Sequence, residues 1–277
     1  MTDRYGDGFA ALEGAPFPEF SPGEVWLAGA GPGAVGLLTL LAFHGLRHCD
    51  VIVHDALVNE GILELANPRA EVISAGKRGG RADSAKQPQI TATLTRLARE
   101  GRRVLRLKGG DPYLFGRGAE EALELARAGV RFRVIPGIPA GIGGLAYAGI
   151  PATSKEVNSS VLFLTAHDKR GETPDIDWRA TARAAEVIVL YMGLRKAAEV
   201  AARLLAAGRG GDTPLTFVSS ASLPHQRVFE TTLEAVAEGQ FDVSRVPGPA
   251  LVVIGHAGAN RRELDWFSKL AGGLPLG

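Results

Sequence analysis

The residues with chemistry to offer gather in a few short stretches. Leu107–Gly118 reads LKGGDPYLFGRG, in which Gly109 and Gly110 precede a carboxylate, Asp111, and Arg117 stands between two glycines. Adjacent glycines let a ligand approach bare backbone. Asp-Pro turns the chain with a carboxylate facing the loop, and the arginine presents a forked cation on a second tight bend. Upstream, GKRGGRADSAK supplies Lys77, Arg78, Arg81 and Lys86, while Arg106, Lys108 and Arg117 surround the first loop. Were the two loops neighbours, these cations would form a rim suited to a small molecule carrying several carboxylates or phosphates. A solvated charged face is the other way to read such a run. The two glycines within it favour a site, because they cost backbone entropy that a plain surface does not require.

A second glycine motif points elsewhere. Gly29-Ala30-Gly31-Pro32-Gly33 follows an apolar strand and precedes a helical pattern, and Asp55 ends the next strand. That arrangement nearly satisfies a dinucleotide-binding fingerprint and an NAD-dependent oxidoreductase. Pro32 counts against it, since it removes a backbone N–H where a pyrophosphate needs donors. A strand-to-helix turn with no ligand is the plainer alternative. His44 and His48 are four apart on a predicted helix but lack a third ligand or the glutamate of a zinc-protease motif, so core or surface roles fit them better. No GxSxG elbow occurs, and Cys49 has no evident activating base.

Composition narrows the class. The chain has 277 residues, 45% of them hydrophobic, enough for one large or two medium domains with substantial cores. A formal net charge of +1 argues for neither a nucleic-acid partner nor an anionic membrane surface. One cysteine fits a reducing, cytoplasmic setting, and no apolar run reaches membrane-spanning length. The N-terminal stretch, rich in Pro and Gly and carrying acids, does not read as a signal peptide.

The elements that must position these residues alternate. Val25–Ala28, Val51–Asp55, Glu71–Ala75, Arg103–Leu107 and Phe132–Ile135 read as strands. Between them, helical spacing covers Leu37 to Arg47, Asn59 to Ala66, Gln89 to Glu100 and Ala119 to Ala128. Such alternation predicts a mostly parallel α/β sheet, with ligand loops at the strands' carboxyl ends. At Pro136–Pro151 the texture turns to small residues, read as a domain connection followed by an Ala/Gly-rich helix. Beyond it, Ser160–Thr165, Val187–Tyr191, Leu215–Ser219, Val228–Thr232 and Leu251–Ile254 read as strands, with a helix from Arg195 to Ala207. The expected organisation is a flexible leader over 1–23, α/β domains over 24–137 and 138–267, and a flexible tail over 268–277.

Taken together, GAGPG, VIVHDALV, GKRGG, RLKGGDPYLFGRG, AYAGIP and YMG, in this order, resemble the uroporphyrinogen-III C-methyltransferase family of tetrapyrrole methylases, from about Val25 to Ile254. The resemblance implies two α/β domains with the active site in the cleft between them, working as a homodimer. It implies S-adenosylmethionine as methyl donor, folded into that cleft rather than along the first glycine loop, and a tetrapyrrole substrate methylated at C2 and C7 to precorrin-2. By the same resemblance, cofactor contacts fall on Pro32, Gly109, Gly110, Asp111, Leu114, Ala140, Met192 and Ala221. Asp55 matches a proton acceptor, Lys77 a proton donor, and Arg106 and Arg117 substrate-associated arginines; no metal is implied. The chain departs from the family at Pro139, where Thr is usual, and at Ser154 and Lys155, where His and Arg are usual. A sister enzyme acting on a later precorrin is therefore the alternative within the class.

Overall fold

A computed structural model describes residues 16–76, 87–168 and 171–271 of the chain. Five strands, β1 (Val25–Gly29), β2 (Val51–His54), β3 (Glu71–Ser74), β4 (Val104–Lys108) and β5 (Phe132–Ile135), make one sheet in the order β3-β2-β4-β1-β5. Every pairing in it is parallel. β4 lies in the middle and is buried along its whole length, as a strand covered on both faces must be. Its Leu105 and Leu107 pack with Trp26, Ile52 and Leu46, the last on α1 (Leu40–His48). Val104 faces the other way, among Leu94 and Leu97 of α3 (Gln87–Arg99) and Leu125 of α4 (Gly118–Arg127). Between β2 and β3 lies the single turn α2 (Glu60–Leu63).

The second half builds another five-stranded sheet. β6 (Val161–Thr165), β7 (Val187–Tyr191), β8 (Pro214–Ser219), β9 (Arg227–Thr232) and β10 (Ala250–Ile254) run in the order β6-β7-β10-β8-β9. Only β6 and β7 are parallel; the remaining pairs are antiparallel. The parallel sheet expected from the alternating first half is present there; in the second sheet β8 and β9 are joined too closely for a crossover helix and pair antiparallel. α5 (Trp178–Ala184), α6 (Ala197–Ala206) and α7 (Leu233–Ala237) flank it, and Val200 and Leu204 of α6 fill its core with Ile188, Phe217 and Val252.

Several boundaries differ from expectation for identifiable reasons. The first helix starts at Leu40, not Leu37, because Val35–Leu37 forms its own short turn and Thr39 caps the helix through a hydrogen bond from the Ala42 N–H. After the connection, the small-residue stretch is helical as expected, beginning as a π-helix, Ala140–Gly144, that runs directly into an α-helical turn, Leu145–Tyr147. Within the expected leader, Phe20 is buried and stacked on Trp26, so the first domain begins before residue 24. At the end of the second half, α8 (Arg261–Leu264) leads to α9 (Trp266–Ala271), whose Trp266 donates its indole N–H to the Ala146 carbonyl and whose last residues extend into the first four positions of the expected tail. Residues 1–15 and 272–277 lie outside the described ones. No helix among the described residues is long and apolar enough to cross a membrane.

Three backbones meet where β1, β4 and β5 end. A Cβ at Gly137 would lie 2.7 Å from Gly29 Cα and closer still to the Gly110 carbonyl oxygen. Only glycine permits that approach. Gly137→Ala should therefore destabilise the fold by about 1–3 kcal/mol through overpacking. Gly36→Ala, whose Cβ would meet nothing within 4 Å, should change stability by less than about 0.5 kcal/mol. Urea denaturation midpoints check both.

Candidate active site

The loop after β4 is joined to the loop after β1 by backbone. Ala30 N–H donates to the Lys108 carbonyl (2.7 Å), Gly110 N–H to Gly31 O (2.7 Å) and Gly31 N–H to Gly110 O (3.2 Å). Ala34 N–H donates to Ser222 Oγ of the second domain at 2.9 Å. The Ala30, Gly31 and Ala34 amides are thus engaged within the protein, and the α-helix that follows, α1, starts only at Leu40. The oxidoreductase alternative loses its anion cradle on this geometry.

Asp111 shapes its loop. One carboxylate oxygen accepts from Tyr113 N–H (2.7 Å) and the other from Gly137 N–H (2.9 Å), so its charge is committed to holding the loop against the interdomain connection. Across the seam, the Tyr191 hydroxyl accepts from Gly141 N–H at 2.7 Å, and its ring lies 5.0 Å from that of Phe115. Burial, with Asp111 nearby adding to it and the Gly141 hydrogen bond opposing, raises the Tyr191 phenol above its ordinary value, so it stays neutral. Nothing in the sequence had marked Tyr191 beyond its place before Met192-Gly193. The non-glycine residues with left-handed backbone among those described are Phe115, Arg117, Met192, Ser220 and Ser222. All follow β4, β7 or β8, and such strained conformations concentrate at ligand sites.

The small residues expected to hold a cofactor converge at this seam. A Cβ at Gly143 would come 3.2 Å from Pro32 Cγ, one at Gly110 would be 3.9 Å from Ala140 N, and one at Gly144 would be 2.8 Å from Ala221 Cβ. Gly109 backs onto Leu57, with 3.2 Å between a built Cβ and that side chain. Met192 follows Tyr191 directly and is half exposed. Leu114 sits half-buried in the organising loop. Lys77, with Arg78, Arg81 and Lys86, lies outside the described residues. Two surface hollows of about 600 and 560 Å³, one against α3 and one beside Arg209, contain none of these residues.

The expected cationic rim needs correction. Arg106 and Lys108 do not face a substrate space; their side chains are each 2% exposed. The Arg106 guanidinium pairs with Asp55 and Glu121 and donates to the Val53 and Leu107 carbonyls. Lys108 Nζ lies 2.9 Å from Glu121 Oε1 and 3.6 Å from Asp55 Oδ2. A cation buried under helices must be paired, so these two are internal counter-ions, leaving Arg117 as the exposed arginine of the loop. Arg117 pairs at the surface with Glu120. Glu121 escaped the sequence reading, although two cations at alternate positions of an apolar strand call for a buried anion. Burial acts to raise the Glu121 carboxyl, but Arg106 and Lys108 outweigh it and hold it below the usual range.

The remaining candidates are structural. His44 and His48 stack at 4.1 Å beside Phe17 and Trp26, and no group of three potential ligands for a metal occurs among the described residues. Burial pushes the Cys49 thiol up to about 12, which leaves it unreactive.

Two α/β sheets thus meet through glycine and alanine contacts beside a charged strand end. A family model for tetrapyrrole (corrin/porphyrin) methylases matches residues 24–237, and the chain belongs to that family. It is 54% identical over 259 residues to a uroporphyrinogen-III C-methyltransferase of Sinorhizobium sp., covering 93% of this chain and 92% of that one. It is 46% identical over 250 residues to a siroheme synthase of Neisseria meningitidis, covering 90% of this chain but about half (51%) of that longer protein. A crystal structure of uroporphyrin-III C-methyltransferase from Thermus thermophilus, complexed with S-adenosylhomocysteine, superposes with a TM-score of 0.75 at 38% identity, covering 85% of this chain and 99% of that one.

Tyr191→Phe would leave the Gly141 N–H without its acceptor. We expect a loss of about 1–3 kcal/mol of stability in urea denaturation, together with weaker S-adenosylhomocysteine binding by calorimetry.

Proposed function

We propose that this chain is an S-adenosylmethionine-dependent C-methyltransferase that methylates uroporphyrinogen III at C2 and C7, giving precorrin-2 for siroheme and cobalamin synthesis. The observation that carries this is the near end-to-end match at 54% identity to a uroporphyrinogen-III C-methyltransferase. The seam geometry supports it. Gly110 presents bare backbone beside Ala140, Gly109 backs onto Leu57, and Ala221 closes against Gly144, a surface against which a nucleoside can lie closely. Pro32, Gly109, Gly110, Leu114, Ala140, Met192 and Ala221 would hold the donor, and Asp111 would keep their loop in shape.

Bound there, S-adenosylmethionine supplies an electrophilic methyl group on a sulfonium. The protein's part is to align a pyrrole carbon with that group and to manage the charge that follows. Asp55, at the end of β2 and 32% exposed, keeps one carboxylate oxygen on Arg106 and the other near Lys108. It is a fixed negative charge that can stabilise the cationic pyrrole and then take its departing proton. Lys77 is the proposed proton donor, and Arg117, free to leave Glu120, the proposed grip on a substrate carboxylate. A cytoplasmic homodimer is the proposed form.

The test is anaerobic incubation with uroporphyrinogen III and a methyl-labelled donor. Two labels per macrocycle are expected; labelling of an already methylated ring alone would move the enzyme to a later precorrin. Asp55→Asn should bind S-adenosylhomocysteine like the parent and lose turnover about a hundredfold or more. Undiminished turnover would remove Asp55 from the mechanism. Added salt should raise KM for the multiply anionic substrate while sparing S-adenosylhomocysteine affinity.

A further inference from the structure

We propose that Glu121 is a positioning residue for Asp55: from the start of α4 it takes a share of the two cations on β4, and so sets how firmly the Asp55 carboxylate is held and how good a base it is. This rests on Asp55 being the carboxylate that acts at the substrate.

Arg106 and Lys108 are two positions apart and therefore on one face of β4, the face that carries Val104 and is roofed by Leu94, Leu97 and Leu125. Water does not reach them there, since each side chain is 2% exposed. Glu121 is the one buried carboxylate among the described residues. Its Oε1 accepts from Lys108 Nζ (2.9 Å), Arg106 Nη2 (3.1 Å) and Gln87 Nε2 (2.8 Å), and its Oε2 from Arg106 Nε (3.2 Å). The same Arg106 Nη2 also pairs with Asp55 Oδ1. Lys108 stands nearer Glu121 than Asp55, at 2.9 against 3.6 Å.

The cluster thus holds two positive and two negative groups, and only Asp55 reaches the surface. What Asp55 feels is the part of the cationic field that Glu121 leaves uncancelled. Among the described residues, few other charged or titratable groups stand near it. Glu120 and Arg117 of the first turn of α4 pair with each other, Gln87 of α3 is neutral, and His54 turns its Nδ1 to the Asp55 carbonyl at 3.0 Å. A Glu121 that only filled space would not govern the proton affinity of a group on another strand. One that balances charge must.

The sign follows directly. Glu121→Gln leaves Asp55 as the sole counter-ion to two cations, so its carboxylate is held more tightly and is a weaker base. The acid limb of the kcat profile should move down by about one pH unit or more, and the plateau should fall about tenfold. Lys108→Met removes a cation and should move the limb up by a similar amount. The double variant restores the balance of Arg106 against Asp55, and its limb should return close to that of the parent. S-adenosylhomocysteine affinity should hold throughout.

The experiment measures turnover of uroporphyrinogen III against pH for the full chain and these three variants, with Asp55→Asn alongside. An unmoved limb in Glu121→Gln, or a displaced limb in the double variant, overturns the proposal. If Glu121→Gln alone does not fold, the charge-balanced double variant decides: a folded protein with the parent limb supports the proposal, and an unfolded one overturns it. Undiminished turnover in Asp55→Asn would instead sink the premise. An impaired Asp55→Asn with an unmoved Glu121→Gln limb sinks only the role of Glu121.

Discussion

Gly29 ends β1, and Gly110 and Gly137 lie in the loops after β4 and β5, yet their backbones touch with no side chain between them. That contact decides where everything else can go. It draws the ends of β1, β4 and β5 into one point, so the loop carrying Asp111 lies beside the connection into the second domain. Asp111 then fastens the arrangement by accepting from Gly137 N–H. A side chain at Gly29 or Gly137 would wedge these backbones apart, while at Gly110 it is the left-handed backbone (φ 67°) that favours glycine. The glycines of the first motif therefore serve the packing of backbones and not the binding of phosphate.

Beside this close-packed seam, charge is handled by a different rule. The centre of a parallel sheet is a poor place for two cations, and burying an ion costs far more than leaving it in water. The chain places Arg106 and Lys108 there nonetheless and meets the cost with Glu121 and Asp55. The result is a carboxylate at the mouth of the strand whose position is set from behind by groups that never meet solvent. Such preorganised charge is suited to a reaction in which a cation develops on a pyrrole ring, because nothing need reorient as it forms.

Much of this was legible in the chain. Each strand of the first sheet was visible as an apolar run, and the organising loop was visible as two glycine pairs around Asp111 and Arg117. The small-residue neighbours Ala140 and Ala221 came through family resemblance, since nothing in their chemistry marks them. What stayed hidden depended on long-range contact. Lys108 and Arg106 looked like rim cations because a single sequence does not reveal which face of a strand is roofed. Tyr191 looked like a strand residue because its partner, Gly141 N–H, is distant in sequence and belongs to a turn of unusual width. Phe20 looked like part of a loose leader because its stacking on Trp26 leaves no periodic trace. The sequence carried no sign of strand direction in the second sheet, because direction is set by how connections close and short apolar runs do not record it.

The separation of duties between seam and cluster has a consequence for specificity. The residues that depart from the family pattern, Pro139, Ser154 and Lys155, lie in or after the interdomain connection, while Asp55, Arg106, Lys108 and Glu121 lie in the first domain. Substitutions in the connection can alter how a tetrapyrrole or the methyl donor is seated without disturbing the balanced charges behind Asp55. The converse does not hold. A single change that removes the charge of Glu121 or Lys108 leaves an uncompensated charge under α3 and α4, which weakens the fold. Variation in what is methylated is therefore easier to reach than variation in how the charge is managed, and a chain of this build can change its substrate's fit while keeping one electrostatic centre.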